Sequence, residues 1–317
     1  MASVTVGQIG LGRMGGGIAY HLVDEGFDVI GFDIQDDALA EFEAHGGRIA
    51  ESNAELASEV DILLSALSYP EIVEAAYLGD DGVVHGAHED LICIEQSTVP
   101  PESTRELAAD LRTHGIDLLD APFFGGPDNA RNGTVLLPVG GPKSAFDDDN
   151  VQAVFSSIAR HTQYMGESGA GKTTKLVNNC ISLGNTVLAL EALSLGAAQG
   201  LDVRDLFDTL KFGAGSSVAF RVLMPSALNR DFEPGFPVEY TQKDLRYALR
   251  AAEDVDFPMH VMTSILQLYT AAAASGYAKE NAPAVIKVFE QYLDEALEVE
   301  EKIEVNAAED PILSSGP

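Results

Sequence analysis

From residue 4 to about residue 165 the chain alternates short apolar runs with longer stretches in which apolar residues recur every three or four positions. The runs predict strands at Val4–Ile9, Asp28–Phe32, Asp61–Ala66, Leu91–Glu95, Ile116–Leu119, Thr134–Val139 and His161–Met165. The stretches between them predict helices, for example Met14–Glu25, Pro101–Thr113 and Lys143–Ala159. Strands separated by helices predict an α/β fold, a mostly parallel sheet with right-handed crossovers. After Gly166 nothing strand-like follows. Gly171–Gln199 reads as one long helix rich in Leu, Ala and Val, with further helices at Val203–Leu210, Gln242–Val255, Met259–Ser275 and Asn281–Glu300. The expected organisation is therefore an α/β domain over residues 1–166, an all-helical domain over 167–300 and an acidic flexible tail over 301–317.

Composition adds limits to that picture. At 317 residues the chain exceeds the usual size of one core, in line with two domains. The best apolar run, Thr186–Ala198, is interrupted by Glu191, so no membrane partner is expected. The first residues lack a basic region and lead straight into a strand, so no secretory leader is expected. Cys93 and Cys180 read as reduced thiols rather than a disulfide framework, which points to the cytoplasm. The charge is unusual: 50 acidic residues against 19 Lys plus Arg, a net of −31. Such self-repulsion is costly in dilute buffer and is screened at molar salt, where the Debye length is about 3 Å. The acids are spread along the chain, and the expectation is a halophilic cytoplasmic protein, an ordinary acidic protein being the alternative. Either surface repels nucleic acid.

Candidate chemistry begins directly after the first strand. Gly10-Leu11-Gly12-Arg13-Met14-Gly15 is a G-x-G-x-x-G between a strand and a helix, the fingerprint of a Rossmann-type dinucleotide domain. Gly10 allows a tight turn, Gly12 lets a pyrophosphate approach the backbone, and Gly15 permits close helix–strand packing. Asp33, at the end of the second strand, is placed to accept hydrogen bonds from the adenosine ribose. Ile34 and Gln35 offer no cation for a 2′-phosphate, so NAD is expected over NADP.

Gly166-Glu-Ser-Gly-Ala-Gly-Lys-Thr173 matches the phosphate-loop pattern G-x-x-x-x-G-K-[ST], with Lys172 and Thr173 at the chemical positions. Shifted by three residues, the same segment is a glycine turn opening a helix that carries Lys175 and, one turn later, Asn179. The first reading makes an NTPase, but no strand with a second acid for magnesium follows it. The second makes a dehydrogenase, in which a lysine near the nicotinamide takes the proton from a substrate hydroxyl and Asn179 hydrogen-bonds the same group. A lysine suits that role when an interdomain cleft partly desolvates it or another cation lies near.

The chain resembles the β-hydroxyacid dehydrogenase family over about residues 4–290. The resemblance rests on Gly10–Gly15 with Asp33, on Gln96-Ser97-Thr98-Val99-Pro100, and on Asp120-Ala121-Pro122-Phe123-Phe124-Gly125-Gly126 running to Gly133-Thr134. It continues with Gly169-x-Gly171-x-x-x-Lys175-x-x-Asn178-Asn179 and Lys243-Asp244-Leu245. It implies Lys175 as catalytic acid/base, with Asn179 and its neighbour Asn178 at the substrate. It also implies backbone N–H groups of Gly125 and Gly126 on the substrate carboxylate, Leu67 and Thr98 along the nicotinamide, and Lys243 closing the site over substrate and cofactor. Phe124 stands where the family usually has serine, and Asn129 where glycine is common, so the usual substrate grip is altered. The implied substrate is a small β-hydroxyacid or the corresponding semialdehyde, and a sulfonated or sugar-derived acid also stays open. The apolar long helix points to a homodimer or homotetramer.

An NTPase and a non-catalytic NAD-binding protein remain the alternatives. Arg131 is either an anion partner near the substrate or, the favoured reading, a surface charge. His85-Gly-Ala-His88 lies in a Gly/Asp-rich stretch and is not expected to bind metal. Tyr240 and Tyr247 either wall the cleft or pack in the core.

Overall fold

The computed structural model describes residues 4–305. The described residues divide into two compact units, the first ending at Lys175 and the second beginning at Leu176, so the division falls inside the long helix, nine residues beyond the expected boundary.

The first unit is built on an eight-stranded sheet in the order β3-β2-β1-β4-β5-β6-β7-β8. Its strands are β1 (Thr5–Ile9), β2 (Asp28–Phe32), β3 (Arg48–Ile49), β4 (Ile62–Ser65), β5 (Ile92–Glu95), β6 (Asp117–Asp120), β7 (Val135–Gly140) and β8 (Ala159–Gly166). All neighbours are parallel except β6 and β7. Alternation along each strand sends successive side chains to opposite faces. Val6, Val29, Ile62, Leu64, Ile94 and Leu119 enter the core on one face. Ile30, Leu63, Cys93 and Leu118 enter the core on the other. Burial on both faces is why these strands read as nearly continuous apolar runs in the sequence. The two-residue edge strand β3 carries too short a pattern to be read in advance.

The second unit is helical, and its core takes one face of the helix Ala170–Ala198 through Leu176, Cys180, Leu183, Val187, Leu190 and Leu193. By length and composition alone this helix could cross a membrane, which the Glu191 interruption had argued against; a core helix passes the same test, and its buried face is part of this core.

Several expected helices change form for local reasons. Lys143–Ala159 is two helices, Lys143–Phe146 and Asp149–Ile158. The break comes where the Asp148 carboxylate accepts from the N–H groups of Asn150 and Val151 and starts the second helix afresh. Val218–Leu228 is helical despite the internal Pro225, which had masked it in the sequence. The expected helix Asn281–Glu300 is reduced to short turns ending at Tyr292. Carboxylates at Asp294, Glu295, Glu298 and Glu300 would crowd the negative end of a longer helix, and the Leu297 N–H instead donates to Glu290 Oε1 at 2.9 Å. The tail is also corrected at its start: Ile303 is buried and exchanges two hydrogen bonds with the Asn229 side chain. The rest of the expected tail, 306–317, lies outside the described residues.

Candidate active site

Strand β1 is followed by Gly10, whose φ of +86° suits glycine, and a Cβ there would stand 2.5 Å from the Ala66 carbonyl oxygen. A Cβ on Gly15 would stand 2.1 Å from the Gly10 oxygen, so the helix Gly15–Asp24 can approach the strand only with glycine there. Gly12 has nothing within 4 Å of its would-be Cβ. Beside that open space the helix begins without a side-chain cap and without an acid in its first turn. Uncapped N–H groups and the positive end of the helix dipole suit a diphosphate, so the residues present fit a dinucleotide.

Asp33 braces the same loop. Its Oδ2 accepts from Leu11 N at 2.7 Å and its Oδ1 from Gln35 N at 2.9 Å. Each oxygen keeps a further lone pair for a ribose hydroxyl. Arg13 is exposed and Met14 half-buried at the mouth of this loop. Leu67 reaches toward Gly10, and its N–H donates to Ser97 Oγ at 2.7 Å, next to the half-buried Thr98. Gly10, Leu67 and Thr98 thus all follow the carboxyl ends of β1, β4 and β5, where open α/β sheets bind their ligands.

The segment from Gly166 decides between the two lysines. Gly166 and Gly169 have φ of +124° and +88°, forming the turn from β8 into the long helix. The N–H groups that would cradle a phosphate there are engaged: Gly169 N and Lys172 N donate to the two Asp120 carboxylate oxygens at 2.7 and 2.9 Å. Lys172 points inward and is 1% exposed. Its Nζ donates to the carbonyl oxygens of Glu95 and Ser97 at 2.8 and 2.6 Å and lies 2.5 Å from Glu95 Oε2. Thr173 Oγ1 donates to the Gly169 carbonyl at 2.9 Å. The NTPase reading is therefore overturned, because the lysine is turned inward onto Glu95 and Ser97 and the N–H groups of Gly169 and Lys172 are held by Asp120. Burial pushes the Asp120 carboxyl up, against the opposing pull of the Lys172 charge and the two N–H donors.

Lys175, one turn on, is half-buried. Its Nζ donates to the Phe123 carbonyl at 2.6 Å and lies 5.4 Å from the centre of the Phe124 ring. A two-way backbone bridge to Leu136, at 2.9 and 3.0 Å, fixes Phe124 in place. Gly125 has φ +131°. The Gly126 N–H differs from what the resemblance implies. It donates to Asn129 Oδ1 at 3.0 Å, so this side chain occupies the donor assigned to the substrate. Asn129 is held in turn by Thr134, at 3.2 Å.

In the second unit Asn178, Asn179 and Lys243 gather around Asp244, itself 1% exposed. Asn179 Nδ2 donates to Asp244 Oδ2 at 2.7 Å, Asn178 Nδ2 donates to Asn179 Oδ1 at 3.2 Å, and Lys243 Nζ lies 3.4 Å from Asp244 Oδ1. Lys243 also lies 5.7 and 5.4 Å from the ring centres of Tyr240 and Tyr247. Asp244, Glu95, Asp120 and Asn129 were missed as organising residues. The available signal was an acid closing an apolar strand, at Glu95 and Asp120, and an acid inside the Lys243-Asp244-Leu245 motif. Arg131 pairs with Asp24 at 2.7 Å on the surface, and the His88 ring meets the Val60 carbonyl at 3.0 Å.

Comparison with known proteins covers both units. Residues 5–166 match the NAD binding domain of 6-phosphogluconate dehydrogenase, and residues 169–289 match the NAD-binding domain of NADP-dependent 3-hydroxyisobutyrate dehydrogenase. The chain is 33% identical to 2-(hydroxymethyl)glutarate dehydrogenase of Eubacterium barkeri, over 91% of this chain and 96% of that one. It is 32% identical to L-threonate dehydrogenase of Cupriavidus necator, over 90% and 96% of the two chains. The structure of Mycobacterium tuberculosis 3-hydroxyisobutyrate dehydrogenase with L-serine superposes with a TM-score of 0.83 at 29% identity, covering 90% of this chain and 98% of that one. With both parts of the chain matched and close to its whole length shared with these enzymes, the protein belongs to the β-hydroxyacid dehydrogenase family and is a nicotinamide-dependent hydroxyacid dehydrogenase.

Proposed function

We propose that the enzyme transfers hydride between NAD(H) and a small β-hydroxyacid or its semialdehyde, with Lys175 as the general acid/base. The observation that carries this reading is the fixing of Lys175 Nζ on the Phe123 carbonyl beside Phe124. A neutral amine has two N–H bonds and one lone pair. The carbonyl takes one N–H, which holds the amine in place and leaves its lone pair to accept the hydroxyl proton as the carbinol carbon is oxidised. In the reverse direction the ammonium returns that proton and stabilises the developing alkoxide. The bound nicotinamide supplies the acceptor for the hydrogen leaving carbon. Asn179, with its Nδ2 committed to Asp244, offers its carbonyl oxygen to the substrate hydroxyl. Gly125 is the backbone donor assigned to the carboxylate, since Asn129 occupies that of Gly126.

NAD is favoured over NADP because a 2′-phosphate would face the Asp33 carboxylate with no cation at Ile34 or Gln35. A homodimer or homotetramer follows from Val177, Ile181, Leu188 and Leu195, exposed by 55%, 61%, 64% and 65% at helical spacing on the long helix. A second copy of the same helix is the partner proposed for this stripe. The charge of −31 supports a cytoplasm rich in salt as the working environment.

The test is NADH formation across a panel of small hydroxyacids at molar salt, repeated with NADP. Turnover of at least one acid with NAD is expected. Tight NAD binding without turnover of any acid contradicts the proposal.

A further inference from the structure

Lys172 is the largest charged side chain wholly inside the first unit, and proton transfer to the substrate gives it no role. An unpaired ammonium in that position would be strongly unfavourable, so its surroundings must answer its charge in full. They do so with two directional hydrogen bonds and an ion pair. Its Nζ donates to the carbonyl oxygens of Glu95 and Ser97 and lies 2.5 Å from Glu95 Oε2, all at the end of β5. Its own N–H, with that of Gly169, takes the Asp120 carboxylate at the end of β6. The network runs on: Glu95 Oε1 accepts from Ser97 N at 2.7 Å, and Ser97 Oγ accepts from Leu67 N at 2.7 Å. Gly171 lets the helix come this close, since a Cβ there would stand 2.3 Å from the Asp120 carbonyl oxygen and 2.6 Å from that of Pro138.

We propose that Lys172 is a positioning residue. Its buried ammonium clamps the first turn of the helix to the Glu95–Ser97 turn, and so sets Lys175 in register with Leu67 and Thr98. The inference rests on the reading above, in which Lys175 moves the proton and Leu67 and Thr98 face the nicotinamide. An apolar side chain could fill the same volume and leave the fold as stable, but it would bind none of these acceptors in a fixed direction. Lys175 follows Lys172 by one turn of one helix, so a shift of the clamped turn is carried to the reacting amine. Misplacement by about 1 Å costs on the order of a hundredfold in rate.

The test compares Lys172→Met with the double variant Lys172→Met/Glu95→Gln. The single variant strands a buried carboxylate; the double removes both charges and keeps an acceptor for the Ser97 N–H. Thermal midpoint, kcat, KM for the hydroxyacid, and the Kd values of NADH and of ADP-ribose are measured for each. The expected result is a midpoint that recovers in the double variant while kcat stays down by about tenfold or more. NADH binding weakens severalfold with ADP-ribose binding unchanged, because only NADH carries the nicotinamide that meets the clamped turn. Recovery of kcat together with stability, or equal weakening of NADH and ADP-ribose, overturns the proposal. If the single variant fails to fold, the double carries the test. If the wild type turns over no hydroxyacid, it is the proposed reaction that fails, and the comparison of NADH with ADP-ribose still tests the clamp.

Discussion

In the proposed site, Phe124 and Asn129 change the substrate wall in opposite ways. Phe124 puts a ring beside Lys175 Nζ where the family usually has a serine hydroxyl, and Asn129 adds a polar group that takes the Gly126 N–H. Without that hydroxyl the site has one hydrogen-bonding group fewer for a second polar group on the substrate, so Phe124→Ser is predicted to shift specificity toward polyhydroxy acids. The ratio of kcat/KM values for a polyhydroxy acid over an apolar one should rise by about tenfold or more, measured on the two substrates side by side. Burial pushes the Cys93 and Cys180 thiols up, with Asp244 adding to the shift at Cys180. Both should resist alkylation at neutral pH in the folded enzyme and react on unfolding, as mass spectrometry would show. What was legible in the sequence was local pattern: the G-x-G-x-x-G turn after β1, the acid following β2, and the spacing of Lys175 and Asn179 on one helix face. The phosphate-loop reading of Lys172 was already disfavoured by the sequence, but its actual place was not legible, because its partners Glu95 and Ser97 are distant in sequence and no local pattern shows that a lysine points inward.

The strands were the most legible elements, because parallel strands buried on both faces produce apolar runs that stand out from their surroundings. Helices in the second unit were less so. Pro225 hid one, and the acidic stretch from Asp294 shortened another that apolar spacing alone would have continued. The turn into the long helix is the element on which the site depends most. Gly171→Ala would force a Cβ against the carbonyl oxygens of Asp120 and Pro138 and push the helix off the sheet. A loss of about 1–3 kcal/mol is predicted, read as a lower thermal midpoint, together with slower turnover.

At the scale of the whole molecule the charge of −31 governs behaviour that the fold does not. The Debye length falls from about 30 Å at 0.01 M salt to about 3 Å at 1 M, which removes most repulsion between surface carboxylates. The thermal midpoint is therefore predicted to rise steadily over that range, and a midpoint independent of salt would remove the case for a halophilic protein. The division into an α/β unit and a helical unit was readable from the change of periodicity, but its position inside a continuous helix was not, since the helix repeat carries on unbroken across it. Whether Lys175 moves the proton is tested most directly by Lys175→Ala, assayed for turnover and for NADH affinity in the same preparation. A fall in kcat of about a hundredfold or more, with NADH affinity nearly unchanged, is expected. Turnover close to that of the wild type would contradict it.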